Sequence, residues 1–328
     1  MDAVRTTSLA LPDDVVGMKF TDTLEIDQRT RLLYLGDNWS GGIDVFDLSS
    51  GAAIYLETIK IRGTIYGICV AHKVGKLFVG ILPSAVAVID IRPESPERHT
   101  VITRIDTGGR GHSDLVDFDP VHQKVYIANR NDGFLLAIDA LTDTVVAKID
   151  GLGGGLEQPR FNPNDEMVYL AGNADNVLYQ VDPTSDRLVA THKIGVPCSP
   201  NGLAINPGTN QGLFAGSDRA SPNTVIWDFG TQAVAEVIEG CGCGDGAVYI
   251  PGIDRYLLAA SGFPEGPVIG IFSGSPASLL ATVPSHRRSS WVAYDETGGV
   301  AYAPTVISGK PGLLSFSLAD IPGAAPAG

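Results

Sequence analysis

Seven residues at one fixed offset form a column through the chain: Asp22, Gly67, Asp114, Glu157, Asn201, Asp245 and Ser290. Each lies five residues before the opener of a turn between two apolar stretches, the openers being Asp27, His72, Asp119, Asn162, Asn206, Ile250 and Asp295. If the elements carrying this column converge, four carboxylates and an amide share a small space. Carboxylates about 9 Å apart at an effective dielectric of about 20 repel by about 2 kcal/mol per pair. Such a space must hold a cation, keep some carboxyls protonated, or recruit arginine or lysine. Oxygen ligands with one amide suit Ca2+ or Mg2+, whereas zinc prefers histidine or cysteine. Asp22, Asp114, Glu157, Asn201 and Asp245 are therefore candidate ligands of a divalent cation. Arg288, seven residues before its turn opener, is a candidate counter-charge and oxyanion stabiliser.

A second chemical candidate sits in "GRGHSDLVDFD", Gly109 to Asp119, where His112 lies two residues before Asp114. A histidine beside a carboxylate can titrate near neutral pH and act as an acid or base, although a hydrogen-bonded polar side chain accounts for it equally simply. If it is a base, proton abstraction beside a polarised carbonyl follows, which is lyase or isomerase chemistry. Ser113 is flanked by His112 and Asp114, but neighbours on a strand point to opposite faces, so they do not form a serine triad. "GLGGG" at Gly151 to Gly155 lacks the Lys-Ser/Thr of a phosphate loop and reads as a connector. Few histidines and cysteines fall near the column, which disfavours redox or cofactor chemistry.

The elements that must position these groups repeat. The turn openers are separated by 45, 47, 43, 44, 44 and 45 residues, and each unit carries two apolar strands, then a third such as "IDVFDL" or "LLAIDA". The third strand ends in Asp47, Asp90, Asp139, Asp182 and Asp228 in the first five units, where aspartate starts turns through nearby backbone N–H groups. A fourth, more polar strand follows in six units, and the seventh lacks one. "TTSLALPD" resembles "SLLATVPS" of unit six, so residues of about 6–12 are expected to complete the last sheet and close a ring. The expected fold is all-β: a seven-bladed β-propeller of four-stranded blades in a single domain, residues 1–328.

In a propeller the first strand of each blade lines the axis, and its starting end opens beside the loops joining second and third strands. Those loops include "GDNWSGG", "NRNDG", "SDRASPN", "SGFPEGP" and "TVISGKPG". Trp39 and Phe263 are candidate walls for a substrate, with Tyr66 and Trp291 deeper, although core packing is the ordinary role of an aromatic residue such as Trp291 on a propeller strand.

The chain has 328 residues, 44% of them hydrophobic, which is ample for a folded core. Its 23 Lys and Arg against 37 Asp and Glu give a net charge of −14, which repels nucleic acid and anionic membranes and favours a small-molecule substrate. No run reaches a membrane span of about 18 apolar residues, and the N-terminus shows no signal-peptide core, so a soluble protein is expected, its compartment unknown and cytoplasmic only by default; a monomer is expected as well. Cys69, Cys198, Cys241 and Cys243 are expected to be free thiols, the alternative being a disulfide from Cys198 to Cys241 or Cys243.

"KVYIANRNDGFLLAIDALTDTVVAKIDG", residues 124–151, resembles the YVTN family of propeller repeats in its Tyr, Asn, Ile-Asp and Val-x-x-x-Ile positions. "EQP" at Glu157, "PNGLAINP" at Pro200 and "GDGAVYIP" at Gly244 resemble strand starts of the gluconolactonase/regucalcin propellers, which are strictosidine synthase-like and have six blades. That resemblance implies that Glu157, Asn201 and Asp245 hold a divalent metal and that Asp245 is the base in lactone or ester hydrolysis. The alternatives are a metal-assisted lyase or isomerase, like the seven-bladed lyases that open cyclic lactone antibiotics, and a non-catalytic ligand-binding or scaffold propeller.

Overall fold

The computed structural model describes residues 6–10 and 20–321. Seven four-stranded antiparallel sheets follow one another around a central axis. The first six are continuous in sequence, covering residues 21–60, 64–106, 113–149, 160–193, 200–238 and 247–284, and we number them blades one to six. Blade seven takes three strands from residues 293–317 and its outer strand from Thr7–Ala10. Thr7 pairs with Ser315 and Ala10 with Gly312, so the N-terminal strand closes the ring as expected. Residues 11 and 12 of the expected strand lie outside the described residues.

The hydrophobic residues are buried between blades. Seven clusters of buried side chains each join one blade to the next, including the pair formed by blade seven and blade one. Tyr34, Tyr126, Tyr169 and Tyr302, seven residues after their turn openers, are 0–2% exposed at four of these seams. The second strands are buried on both faces, while outer strands such as Arg187–Lys193 alternate between exposed and half-buried. The middle strands of each blade are apolar on both faces because each sheet is a filling between two others, and the outer strand is more polar because it meets solvent.

Turn aspartates act as expected. Asp47, Asp90, Asp139, Asp182 and Asp228 accept backbone N–H groups two or three residues on, at 2.8–2.9 Å. The four cysteines are free and buried, so the expected thiols are present and the alternative disulfide is absent.

The inner strands depart from regular pairing at one place. In blade one Thr21 pairs with Asp37 but Leu24 with Leu35, so the inner strand carries one extra residue. The same irregularity lies at 65–68, 113–116 and 200–203. These bulges fall on the column residues Asp22, Gly67, Asp114 and Asn201, releasing them from ladder pairing and re-aiming their side chains.

Blade one also buries an acid pair. Asp37 and Asp44 are both fully buried neighbours, and Asp44 accepts from the Ser40 hydroxyl at 3.1 Å and from Thr58. Burial, then the neighbouring Asp44, pushes Asp37 up to about 8. A carboxyl whose folded pKa exceeds its unfolded value holds a proton that unfolding releases, so stability falls as pH rises between about 4 and 8. Urea denaturation from pH 5 to 8 is expected to show this decline, at most about 1.4 kcal/mol per pH unit for one proton. Asp37→Asn, which keeps a donor toward Asp44 without a titrating group, is expected to make it shallower by the share of one proton, the other raised carboxyls such as Glu25 keeping the rest.

Candidate functional site

At the end of the axis where the bulges lie, a cavity of about 220 Å³ is lined by Asp22, Tyr66, His112, Asp114, Arg130, Glu157 and Asp245. The sequence column thus places all four of its carboxylates around one space, drawn from blades one, three, four and six. Glu157 reaches it from just before the inner strand Arg160–Asn162, its N–H donating to Ala171 O at 2.9 Å. Asp245 is fixed the same way, its N–H donating to Ala259 O at 3.0 Å. Asn201 stands behind Asp245: its Nδ2 donates to Gly244 O at 3.0 Å and to Asp245 Oδ1 at 3.3 Å. Close packing enforces the geometry, since a Cβ at Gly202 would meet Asp245 O at 1.7 Å.

The counter-charge is Arg130, a residue that the sequence column does not contain. It follows the second strand of blade three, Lys124–Asn129, and its carbonyl accepts the Gly155 N–H at 3.0 Å, tying the loop to the neighbouring blade. Its guanidinium contacts Glu157 Oε1 and lies 3.7 Å from Asp114 Oδ2. Arg288, the expected counter-charge, is instead exposed on a turn, its backbone N–H donating to His286 Nδ1 at 3.1 Å, and it does not line the cavity. A signal for Arg130 existed, because the residues eleven after the seven openers are Asn38, Pro83, Arg130, Asn173, Ser217, Ser261 and Val306, with a single cation among them.

His112 is held on two sides. Its Nε2 lies 3.0 Å from Asp114 Oδ2, and its ring stacks on Tyr66 with centroids 4.2 Å apart and planes inclined by 19°. Tyr66 in turn packs against Phe20 at 5.7 Å. The other expected walls lie elsewhere. Trp291 is 7% exposed within the seam of blades seven and one, and a Cβ at Gly246 would come within 2.4 Å of its indole, so it is a core residue. Phe263 packs on the seam of blades five and six. Trp39 is half-buried in its loop, with its N–H donating to Asp37 Oδ1 at 2.7 Å. Neither lines the cavity.

Burial, and then the crowding of like charges, sets the titration of the site. Burial, then Asp114, pushes Asp245 up to about 6, with Arg130 opposing. Burial, then Asp114 and Asp245, raises Asp22 well above the usual carboxylate range. Burial raises Glu157 as well, against the pull of Arg130. For Arg130 burial disfavours the charge, but Glu157, Asp114 and Asp245 outweigh it and keep the guanidinium cationic.

Arg130 takes up part of the donor set that a divalent ion would need. Arg130 already engages Glu157 and approaches Asp114, which also faces His112. Among the described residues no three His, Cys, Asp or Glu side chains come together as they would around one ion.

No known family model matches the chain, and no curated protein matches it significantly. The fold and the cavity define the class instead: a seven-bladed β-propeller with an acidic axial site. The propeller is the part of both resemblances that the structure shares, and nothing ties the chain to the YVTN or the regucalcin-type group in particular. Among the described residues no helix is long and apolar enough to cross a membrane.

Removing Arg130 tests the charge balance. Arg130→Met is expected to lower stability at pH 7 by about 2 kcal/mol, less than the loss from breaking a fully buried pair because its side chain is 33% exposed. The deficit is expected to shrink at pH 4, where the carboxyls take up protons; denaturation at the two pH values measures it.

Proposed function

We propose that the axial cavity is an acid–base active site for a small organic substrate, and that hydrolysis of a lactone or ester is the reaction its groups suit best. The observation that carries this reading is the convergence of Asp245, the His112–Asp114 pair and the Arg130 guanidinium on one cavity of about 220 Å³. A carboxyl at about 6 is ionised at neutral pH yet basic enough to take a proton from water. In this reading Asp245 removes a proton from water as its oxygen adds to the carbonyl carbon. The carbonyl electrons move to oxygen, where the guanidinium stabilises the charge. The acyl–oxygen bond then breaks, and the departing alkoxide takes the proton from Asp245 or from His112. The products are one acid and one alcohol, joined in a single hydroxy acid when the substrate is a lactone.

Asp114 and the Tyr66 ring support the second role by fixing the His112 imidazole, which leaves one ring nitrogen for the substrate. Lyase or isomerase chemistry would use the same histidine as base, and the lactone assay separates the two, since only hydrolysis incorporates solvent oxygen.

Asp245→Asn is expected to lower kcat at least about 100-fold on the best substrate of a lactone and ester panel, with its circular dichroism and thermal midpoint near those of the unaltered protein. The acid limb of kcat/KM should fall near pH 6, where Asp245 gains its proton. Turnover that survives in this variant with the same pH profile removes Asp245 as the base. A panel with no turnover, beside tight binding of the same molecules, turns the reading to a ligand-binding propeller.

A further inference from the structure

The cavity also indicates what its substrate carries. Resting on the acid–base reading above, we propose that the substrate is a small ester or lactone bearing a protonated amine, whose ammonium group is held by the cavity carboxylates. Charge is the first argument. Asp22, Asp114, Glu157 and Asp245 face one guanidinium, so even with Arg130 in place a neutral or anionic ligand leaves the carboxylates uncompensated.

Unmet hydrogen bonding is the second, independent argument. Glu157 is 0% exposed, and while Arg130 contacts Oε1, its Oε2 is buried without a hydrogen-bond donor. Beside Asp245, Asn201 Oδ1 is likewise buried without one. Buried acceptors without donors are costly, and the site offers more acceptors than donors. A primary ammonium presents three donors and no acceptor, which is what this surplus lacks.

A divalent ion would answer the charge but not the geometry. It needs several oxygens converging at about 2.0–2.6 Å, and two of these carboxylates already face Arg130. Ammonium hydrogen bonds at about 2.7–2.9 Å can be spread among separated carboxylates and leave the guanidinium where it is. Volume limits the rest of the molecule, since about 220 Å³ is below the roughly 300–1,000 Å³ of drug-sized pockets. The stacked Tyr66 and His112 rings form the flat side of this space.

Isothermal titration with butylammonium at pH 7 tests this, with 1-butanol as the neutral counterpart. The expected result is binding of butylammonium and no binding of butanol. Glu157→Gln should weaken butylammonium at least tenfold, and Asp22→Asn serves as a second variant if the first does not fold. Failure of butylammonium to bind at 10 mM, equal binding of butanol, or displacement of butylammonium by micromolar Ca2+ or Mg2+ overturns the proposal. Hydrolysis of α-amino-γ-butyrolactone is expected to exceed that of γ-butyrolactone at least tenfold in kcat/KM. Equal turnover of both lactones sinks the ammonium inference and leaves the acid–base reading standing. Butylammonium binding without turnover of either lactone does the reverse.

Discussion

Each innermost strand of the ring has one edge with no partner in its own sheet, and that edge faces the axis. Its N–H groups need acceptors that cannot come from the blade itself. Side chains of the preceding blade supply them: Val70 N–H donates to Glu25 at 2.7 Å, Phe161 N–H to Asp117 at 2.8 Å, and Leu203 N–H to Gln158 at 2.9 Å. Asn38 reaches across in the same way, accepting the Ile65 N–H at 2.8 Å and donating to Ile65 O at 2.9 Å. The axis is consequently a place where acids and amides are structurally required, and the buried apolar clusters lie in the seams between blades.

That requirement puts the protein under a charge load, and the load is handled differently along the axis. Asp117 is paired with Arg160 at 3.3 Å. Glu25, held by one backbone N–H, is pushed by burial to about 7. The end with the bulges gathers four carboxylates and Arg130 around one cavity. Nothing in the inner-edge bonding calls for that surplus. Its carboxylates are released from ladder pairing by bulges or lie in the loops before short strands, so the backbone is shaped to aim them at the cavity. A structural surplus of this kind is sensible where a ligand completes the set.

The ring of acids could be read from the sequence because bulge and turn keep a constant offset: five residues separate Asp22, Asp114, Glu157, Asn201 and Asp245 from their openers whether the intervening strand has seven residues or three. The closing strand could be read because a missing outer strand at one end matched a spare apolar segment at the other. Arg130 was harder, since it lies beyond the second strand, where loop lengths vary and the repeat loses register. Trp291 follows the axial position of Ser290, yet its ring turns back into the seam against Gly246, the core packing that is the ordinary role of an aromatic residue on a propeller strand. Period two assigns a face to a strand residue but does not distinguish the axis from the neighbouring blade when both faces are buried.

The acidic composition itself is a mixture of two populations with opposite electrostatics. In the turns, backbone N–H groups lower Asp47, Asp139 and Asp228, and the Ser185 hydroxyl with the Thr184 N–H lowers Asp182, so these carboxylates are satisfied anions. At the axis, burial and mutual repulsion raise Asp22 and Asp245. A net charge of −14 therefore says little about function until it is divided, because the turn population would give much of it in any propeller built from this repeat. The axial population is small, but it alone gains by meeting a cation. A ligand that discriminates between the two must be one that follows burial rather than net charge, and the cavity between Glu157 and Asp245 is where burial and unmet acceptors coincide.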